Sequence, residues 1–380
     1  MVLRAWAADR PAPIKQVRHA LTRVRADPSS VSDDEWVALL GAAGDELDEL
    51  AALADAARAD VTDPDTFTFV VNRNLETAAV ARADAPVAVE ELVAEAWELG
   101  ATEVCIQGPL PPDAADDGYL RLVERVRSAA PAIHLHAFRP PEVRDAATRM
   151  GIAVTEFLSR ARAAGLGSVP GTAAQILDDE VRAALHPAGT PDPLGTWIDT
   201  ISAAHQVGLF STATMLYGHR ETPRQQLAHL RIIAEIAGRT KGFTELIVMP
   251  MVPETTPAHL REMATGVASV RETRAVHAVA RLITLGRIDH VQVAWTKLDR
   301  DTVVALLCGG ADDIGGLLLD GILAPDAGQE AGRTLGVGDL REIGERIGRR
   351  PRQRTTGYGA PPADRHIALP VTGGRTQVPR

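Results

Sequence analysis

From Phe67 onward the chain alternates between short apolar runs and longer stretches with helical periodicity. That alternation is the strongest constraint on the fold, because strand, helix and strand in succession close most readily as right-handed parallel units. The strand runs are FTFVVN at 67–72, ATEVCIQG at 101–108, AIHLHAF at 132–138, a short piece (TEFL or near LGSVPG) around 155–171, LFSTATMLYG at 209–218, FTELIVMP at 243–250, DHVQVAWT at 289–296 and TVVALLCGG at 302–310. Helical stretches such as VAVEELVAEAWELG and TPRQQLAHLRIIAEIAG separate most of them, and several end in Gly, which takes a left-handed cap easily. About eight such units over about 250 residues fit one α/β (β/α)8 TIM-like barrel. A doubly wound sheet uses the same elements, but no strand run leads into a GxGxxG turn, and GLGSVPG has extra spacing.

Residues 1–66 read as an N-terminal extension and helices. The first 30 or so carry Arg, Lys and Pro without a sustained apolar pattern and read as an appendage, whereas Leu39, Leu40, Leu47, Leu50 and Leu53 recur at helical intervals. The barrel is assigned to 67–349. Residues 350–380, basic and rich in Pro and Gly, read as a tail with a poorly ordered end.

With 380 residues, 45% of them apolar, the chain can bury a sizeable core. Fifty acidic against forty basic residues and only 4% aromatic argue against a nucleic-acid surface. No apolar run reaches the roughly 18 residues of a membrane span, and MVLRAWAADRPAP has no signal-peptide core behind it. The expectation is a soluble cytoplasmic protein with no membrane partner. Cys105 and Cys308 read as buried apolar strand residues, and two thiols cannot supply the ligands of an iron–sulfur cluster.

In a barrel, function collects at the C-terminal strand ends. The period-two rule places His134, His136 and Phe138 on one face. Across from them would stand Thr212, Thr214, Tyr217, His219, Glu245, Gln292, and Trp295 or Lys297. His134 and His136 with His219 or His205 could converge on a metal, but bare spacing of this kind matches widely, and no metal site is assigned. Gly100, Gly108, Gly165, Gly167 and Gly171 either make turns or leave room beside a ligand. Asp312 and Asp313 either contact cationic or hydroxyl groups or cap a helix.

VVNRN at 70–74, GATEVCIQG at 100–108, IHLHAF at 133–138, AGLGSVPGTAAQILDDEVR at 164–182, AHQVG at 204–208, TATMLYGH at 212–219, GFTELIVMP at 242–250, HAVARL at 277–282 and RQRTTGYG at 352–359 together resemble FO synthase, in particular its tyrosine-using half. The resemblance implies a barrel of the radical S-adenosylmethionine type. It also implies an enzyme that joins a tyrosine-derived fragment to 5-amino-6-(D-ribitylamino)uracil on the way to a deazaflavin. That family carries CxxxCxxC after the strand ending in VVNRN, where three thiolates hold a 4Fe–4S cluster whose open iron binds S-adenosylmethionine. Here the segment is NLETAAVARADAPVAVEE, with no cysteine and about a dozen fewer residues. Other departures are Pro109 after Gln107 and Gly108, Arg139 in HAFRP, Gln175 in PGTAAQ, Lys241 before GFTE, and Asp320 as the single acid of GGLLLDG.

The combined reading is a cluster-less relative that has lost radical chemistry. It binds a small aromatic, pyrimidine or nucleoside-like ligand as an accessory protein or pseudoenzyme, with an intact radical homologue as its partner. The alternatives are a non-radical enzyme using the same pocket, or a component of FO synthase. His134, His136 and His219 are the acid–base candidates. Asn72, Gln107, Phe138, Thr214, Tyr217, Glu245, Gln292, Trp295 and Asp313 are the ligand contacts. No cofactor is assigned: a 4Fe–4S cluster is not expected, and S-adenosylmethionine bound without cleavage stays open.

Overall fold

The computed structural model describes residues 11–82, 85–185, 193–252, 268–318 and 335–367. Among these residues, nine strands form one all-parallel sheet: β1 (Thr66–Glu76), β2 (Glu103–Gln107), β3 (His134–Ala137), β4 (Leu166–Val169), β5 (Phe210–Tyr217), β6 (Phe243–Pro250), β7 (His290–Val293), β8 (Asp313–Leu318) and β9 (Arg350–Arg354). β1 to β8 pair in chain order, and β1 meets both β8 and β2, which closes the expected barrel. Phe67, Phe69 and Val71 of β1 and Val104 and Ile106 of β2 are fully buried in the core. Alternate positions point to the other face of a strand, so Val70, Asn72 and Asn74 of β1 and Glu103, Cys105 and Gln107 of β2 turn to the barrel interior.

Closure is staggered. β2 begins opposite Asn72, so the first half of β1 would have an open edge on that side. β9 fills it: Thr66 to Val70 pair with Arg350 to Arg354. Backbone groups that would be stranded at the N-terminal end of the barrel are thus satisfied. The chain after β9 then passes beneath the interior.

Helices cover the outside, with local starts written in the sequence. Thr222 and Gln225 form a capping box ahead of Pro223–Thr240, and Ser32 and Glu35 do the same ahead of Asp33–Leu40. The helices Asp33–Leu40 and Asp45–Val61 pack on the barrel helix Val270–Thr284. Arg271 Nη1 ties that helix inward by donating to the carbonyls of Leu40 and Ala42 at 3.1 and 3.2 Å.

Several local expectations change. TVVALLCGG is not a strand but the helix Arg300–Leu307, because Thr302, Val303, Leu306 and Leu307 are buried at helical spacing and Asp299 caps the first turn through Thr302. Cys308 therefore ends a helix and is exposed, while Cys105 is buried as expected. TEFL belongs to the helix Val154–Ala164, leaving LGSV as β4. The stretch read as an appendage contains the helix Ile14–Ala26, which buries Val17, Ala20, Leu21 and Val24. Where a tail was expected from 350, the chain continues as β9 and a turn of helix at Ala363–Arg365; residues 368–380 lie outside the described residues, as does Asp320.

Arg354 is 1% exposed and its guanidinium bridges Asp313 and Glu245, whereas the surface pair of Arg224 and Asp34 is 64% and 81% exposed. Arg354→Met should cost about 3–5 kcal/mol in urea unfolding, since it strands two buried carboxyl groups. Arg224→Ala should cost under about 1 kcal/mol.

Candidate functional site

The interior opens at the C-terminal strand ends into a cavity of about 360 Å3. Four side-chain amides, Asn72, Asn74, Gln107 and Gln292, line it with the hydroxyls of Thr172, Thr212 and Thr296. Ile247, Met249 and Trp295 supply apolar wall, and Glu103, Glu245, Lys297 and Arg354 supply charge. Such a lining offers both donors and acceptors, and the volume suits a small polar molecule with one flat apolar side.

β8 explains how the amides reach inward. A Cβ at Gly316 would lie 2.2 Å from Asn72 Oδ1, and one at Gly315 2.4 Å from Gln292 Nε2. The glycines yield their space to those two side chains, while Trp295 Nε1 donates to the Gly316 carbonyl at 3.0 Å. Gly171 serves close packing too, since a Cβ there would be 1.9 Å from the Thr212 carbonyl oxygen. Its close neighbour is thus the β5 backbone.

The floor is an ionic cluster brought together by β9. Arg354 donates from Nε to Asp313 Oδ2 at 2.5 Å, and from Nη2 to Asp313 Oδ1 and Glu245 Oε2, both at 2.8 Å. Thr68 Oγ1 donates to Asp313 at 2.5 Å, and Thr356 Oγ1 to Glu103 at 2.7 Å. Tyr358 donates its hydroxyl to Glu245 Oε2, lies 4.0 Å under the Arg354 guanidinium and stacks on His290 with ring centroids 3.4 Å apart. His290 in turn meets Asp312 at 2.6 Å, and Asp312 also pairs with buried Arg281. The open alternatives for Asp312 and Asp313 therefore resolve to cationic and hydroxyl partners.

Of the residues singled out in the sequence, Asn72, Cys105, Gln107, His136, Thr212, Glu245, Gln292, Trp295 and Lys297 line the cavity together. The others lie elsewhere. His134 starts β3 near the floor, stacked on Phe210, with Nε2 2.7 Å from Ser168 Oγ. Phe138 has φ 64°, which ends the strand alternation and turns its ring outward against Tyr119 and Phe157. Thr214 donates to the Gly171 carbonyl at 2.9 Å, and Tyr217 donates to Thr273 Oγ1 at 3.0 Å under an outer helix. His219 is sealed, with Nε2 on the Leu216 carbonyl and Glu221 beside Nδ1. Asp313 sits below the cavity, held by Arg354. His205 is engaged at both nitrogens, by Thr240 and Ser211. Glu103 and Asn74 line the cavity without having been singled out, although Glu103, Cys105 and Gln107 share the inward parity of β2. In the sequence Arg354 stands out only as part of the basic RQRTTGYG motif.

No family model matches the chain. It is 41% identical over 357 residues to the FO synthase of Mycobacterium leprae, covering 89% of this chain and 41% of that protein. The chain thus spans about two-fifths of the length of the FO synthases it matches. It is 37% identical over 308 residues to the 5-amino-6-(D-ribitylamino)uracil–L-tyrosine 4-hydroxyphenyl transferase of Archaeoglobus fulgidus, covering 77% of this chain and 88% of that one. Among solved structures, the FeFe-hydrogenase maturase HydG from Carboxydothermus hydrogenoformans superposes with a TM-score of 0.64 at 13% identity, over 90% of this chain and 81% of that one. Methylornithine synthase (PylB) superposes with 0.60 at 17% identity, over 87% and 97%. At such low identity these two support the barrel fold alone.

The resemblance implies a cluster beside the end of β1. There β1 stays paired to β2 through Glu76 and passes directly into the helix Thr77–Val80. Residues 77–88, TAAVARADAPVA, contain neither cysteine nor histidine. Among the described residues, no group of three or more His, Cys, Asp or Glu side chains could hold a metal ion. The residues present do not fit the cluster. Among the same residues, no helix is long and apolar enough to cross a membrane.

Burial dominates the electrostatics. It pushes His134, His205 and His277 down to about 4, and His136 and His229 down to about 3. It pushes the Glu245 carboxyl up to about 7, against the pull of Arg354. Because the five histidines are held neutral when folded, their contribution to stability is complete above the ordinary value near 6.5. As the pH falls from about 6.5 towards 4, the unfolded chain takes up protons that the folded chain refuses. Thermal melts should therefore lose several degrees of Tm between about pH 6.5 and pH 4.5, and His229→Gln should flatten part of that slope.

Proposed function

We propose, from the premise that the chain belongs to the family of 5-amino-6-(D-ribitylamino)uracil–L-tyrosine 4-hydroxyphenyl transferases, that it is a cluster-less member that binds a small aromatic, pyrimidine or nucleoside-like molecule without radical chemistry. The observation that carries this reading is the contrast within one barrel end. The segment after β1 has no thiolate to offer, while the cavity beside it keeps amides, hydroxyls and charged groups in its lining. Generation of a radical from S-adenosylmethionine needs a cluster with an open iron, and that in turn needs ligands. Binding of a flat polar molecule needs only the amides, hydroxyls and Trp295 wall already described.

The neutral histidines support binding over acid–base turnover by imidazole. At working pH His136 stays unprotonated and His134 is engaged with Ser168, so neither supplies a proton readily. Selection would rest on hydrogen-bond pattern, since each amide both donates and accepts.

After anaerobic treatment with iron and sulfide, the purified chain should hold no stoichiometric cluster, show no reduced-cluster electron-resonance signal and leave S-adenosylmethionine uncleaved. Formation of a cluster with cleavage would overturn the reading. Calorimetric titration with 5-amino-6-(D-ribitylamino)uracil and with L-tyrosine should show saturable binding of one of them. Gln292→Ala should weaken that binding by about tenfold, the value of one buried hydrogen bond.

A further inference from the structure

We propose that Glu245 is the residue through which the cavity exchanges a proton with its ligand, presenting Oε1 to the bound molecule while Arg354 and Tyr358 hold Oε2. This rests on the reading of the cavity as a ligand site and adds a chemical role that the histidines do not fill.

The geometry separates the two carboxyl oxygens. Oε2 accepts from Arg354 Nη2 at 2.8 Å and from the Tyr358 hydroxyl. Oε1 has no hydrogen-bond partner among the described residues, yet it is not one of the sealed and unsatisfied polar atoms. Since Glu245 lines the cavity and is 4% exposed overall, Oε1 is the oxygen that opens on it. A proton added to this carboxyl goes to Oε1, because Oε2 already faces two donors. The protonated group then donates into the cavity, and the ionised group accepts from it. Its complement is a ligand group that gains or loses a proton near neutrality.

The surroundings balance the two forms. Arg354 and the Tyr358 hydroxyl favour the ionised carboxylate. Asp313 on β8, Glu103 on β2 and burial itself favour the protonated acid. His290 stands opposite Glu245 in the β6–β7 register, engaged with Asp312 and the Tyr358 ring, and His136 on β3 is neutral. The balance falls at about 7, where both forms are populated. Arg354 and Tyr358 are positioning residues in this scheme, both delivered by β9 and the turn after it.

Infrared spectroscopy of the unliganded full chain tests the assignment. A protonated-carboxyl stretch should vanish as the pH is raised through about 7, and Glu245→Gln should abolish that change. Tyr358→Phe should move the midpoint upward, since a donor to the ionised form is lost. A stretch that titrates below about pH 5, where ordinary carboxyls do, or one that persists in Glu245→Gln, would overturn the proposal. If Glu245→Gln fails to fold by circular dichroism, Tyr358→Phe decides, and an unmoved midpoint overturns it. Because the protein is unliganded, this result stands apart from the binding titrations.

Discussion

A guanidinium inside a closed barrel survives only if carboxylates meet it with good geometry, because each buried charge costs several kcal/mol to desolvate. Arg354 has that company in Asp313 and Glu245, with Thr68 and Tyr358 completing the set. The cluster joins β1, β6, β8 and β9, and through Thr356 and Glu103 it reaches β2. It therefore fixes the register of β9 against β1, closes the N-terminal end of the barrel and sets the depth of the cavity above. Apolar packing could fill the same space, but it would not specify which strand enters the gap between β1 and β2.

Above that floor the cavity is uncharged over most of its wall. The amides and hydroxyls recognise shape and hydrogen-bond pattern, and the buried imidazoles are kept neutral by the same low dielectric that strengthens the floor. The end of β1 shows the complementary change. Where the family resemblance leads to a metal-binding loop, β1 simply continues in register with β2 and enters a helix. At this position the chain is ordinary secondary structure.

Much of this was legible in the sequence, and the exceptions have physical causes. FTFVVN, STATMLY and FTELIVMP read correctly because β-branched and aromatic residues at period two are dictated by neighbouring strands and helices on both faces. β8 was hidden because DIGGLL carries an acid for the floor and two glycines that clear space for Asn72 and Gln292. The apolar run in VVALL filled its place in the reading, since a short run does not distinguish a buried helix from a strand. Phe138 left the predicted face at a single positive φ. The amide wall could be assembled from strand parity alone. The floor could not, because Arg354 meets Glu245 from 109 residues away and nothing local announces the pairing.

The insertion of β9 also fixes an order of events during synthesis. The first eight strands emerge from the ribosome before the segment that closes them, so the nascent barrel must wait with the early half of β1 unpaired on one side and with Asp313 and Glu245 lacking their counter-charge. Domains tend to fold as units while still being translated, and incomplete ones expose strand edges that other chains can capture. In this protein the hazard lasts until Tyr358 has cleared the exit tunnel. The segment that looks most like a disposable basic tail is the one that ends the vulnerable period.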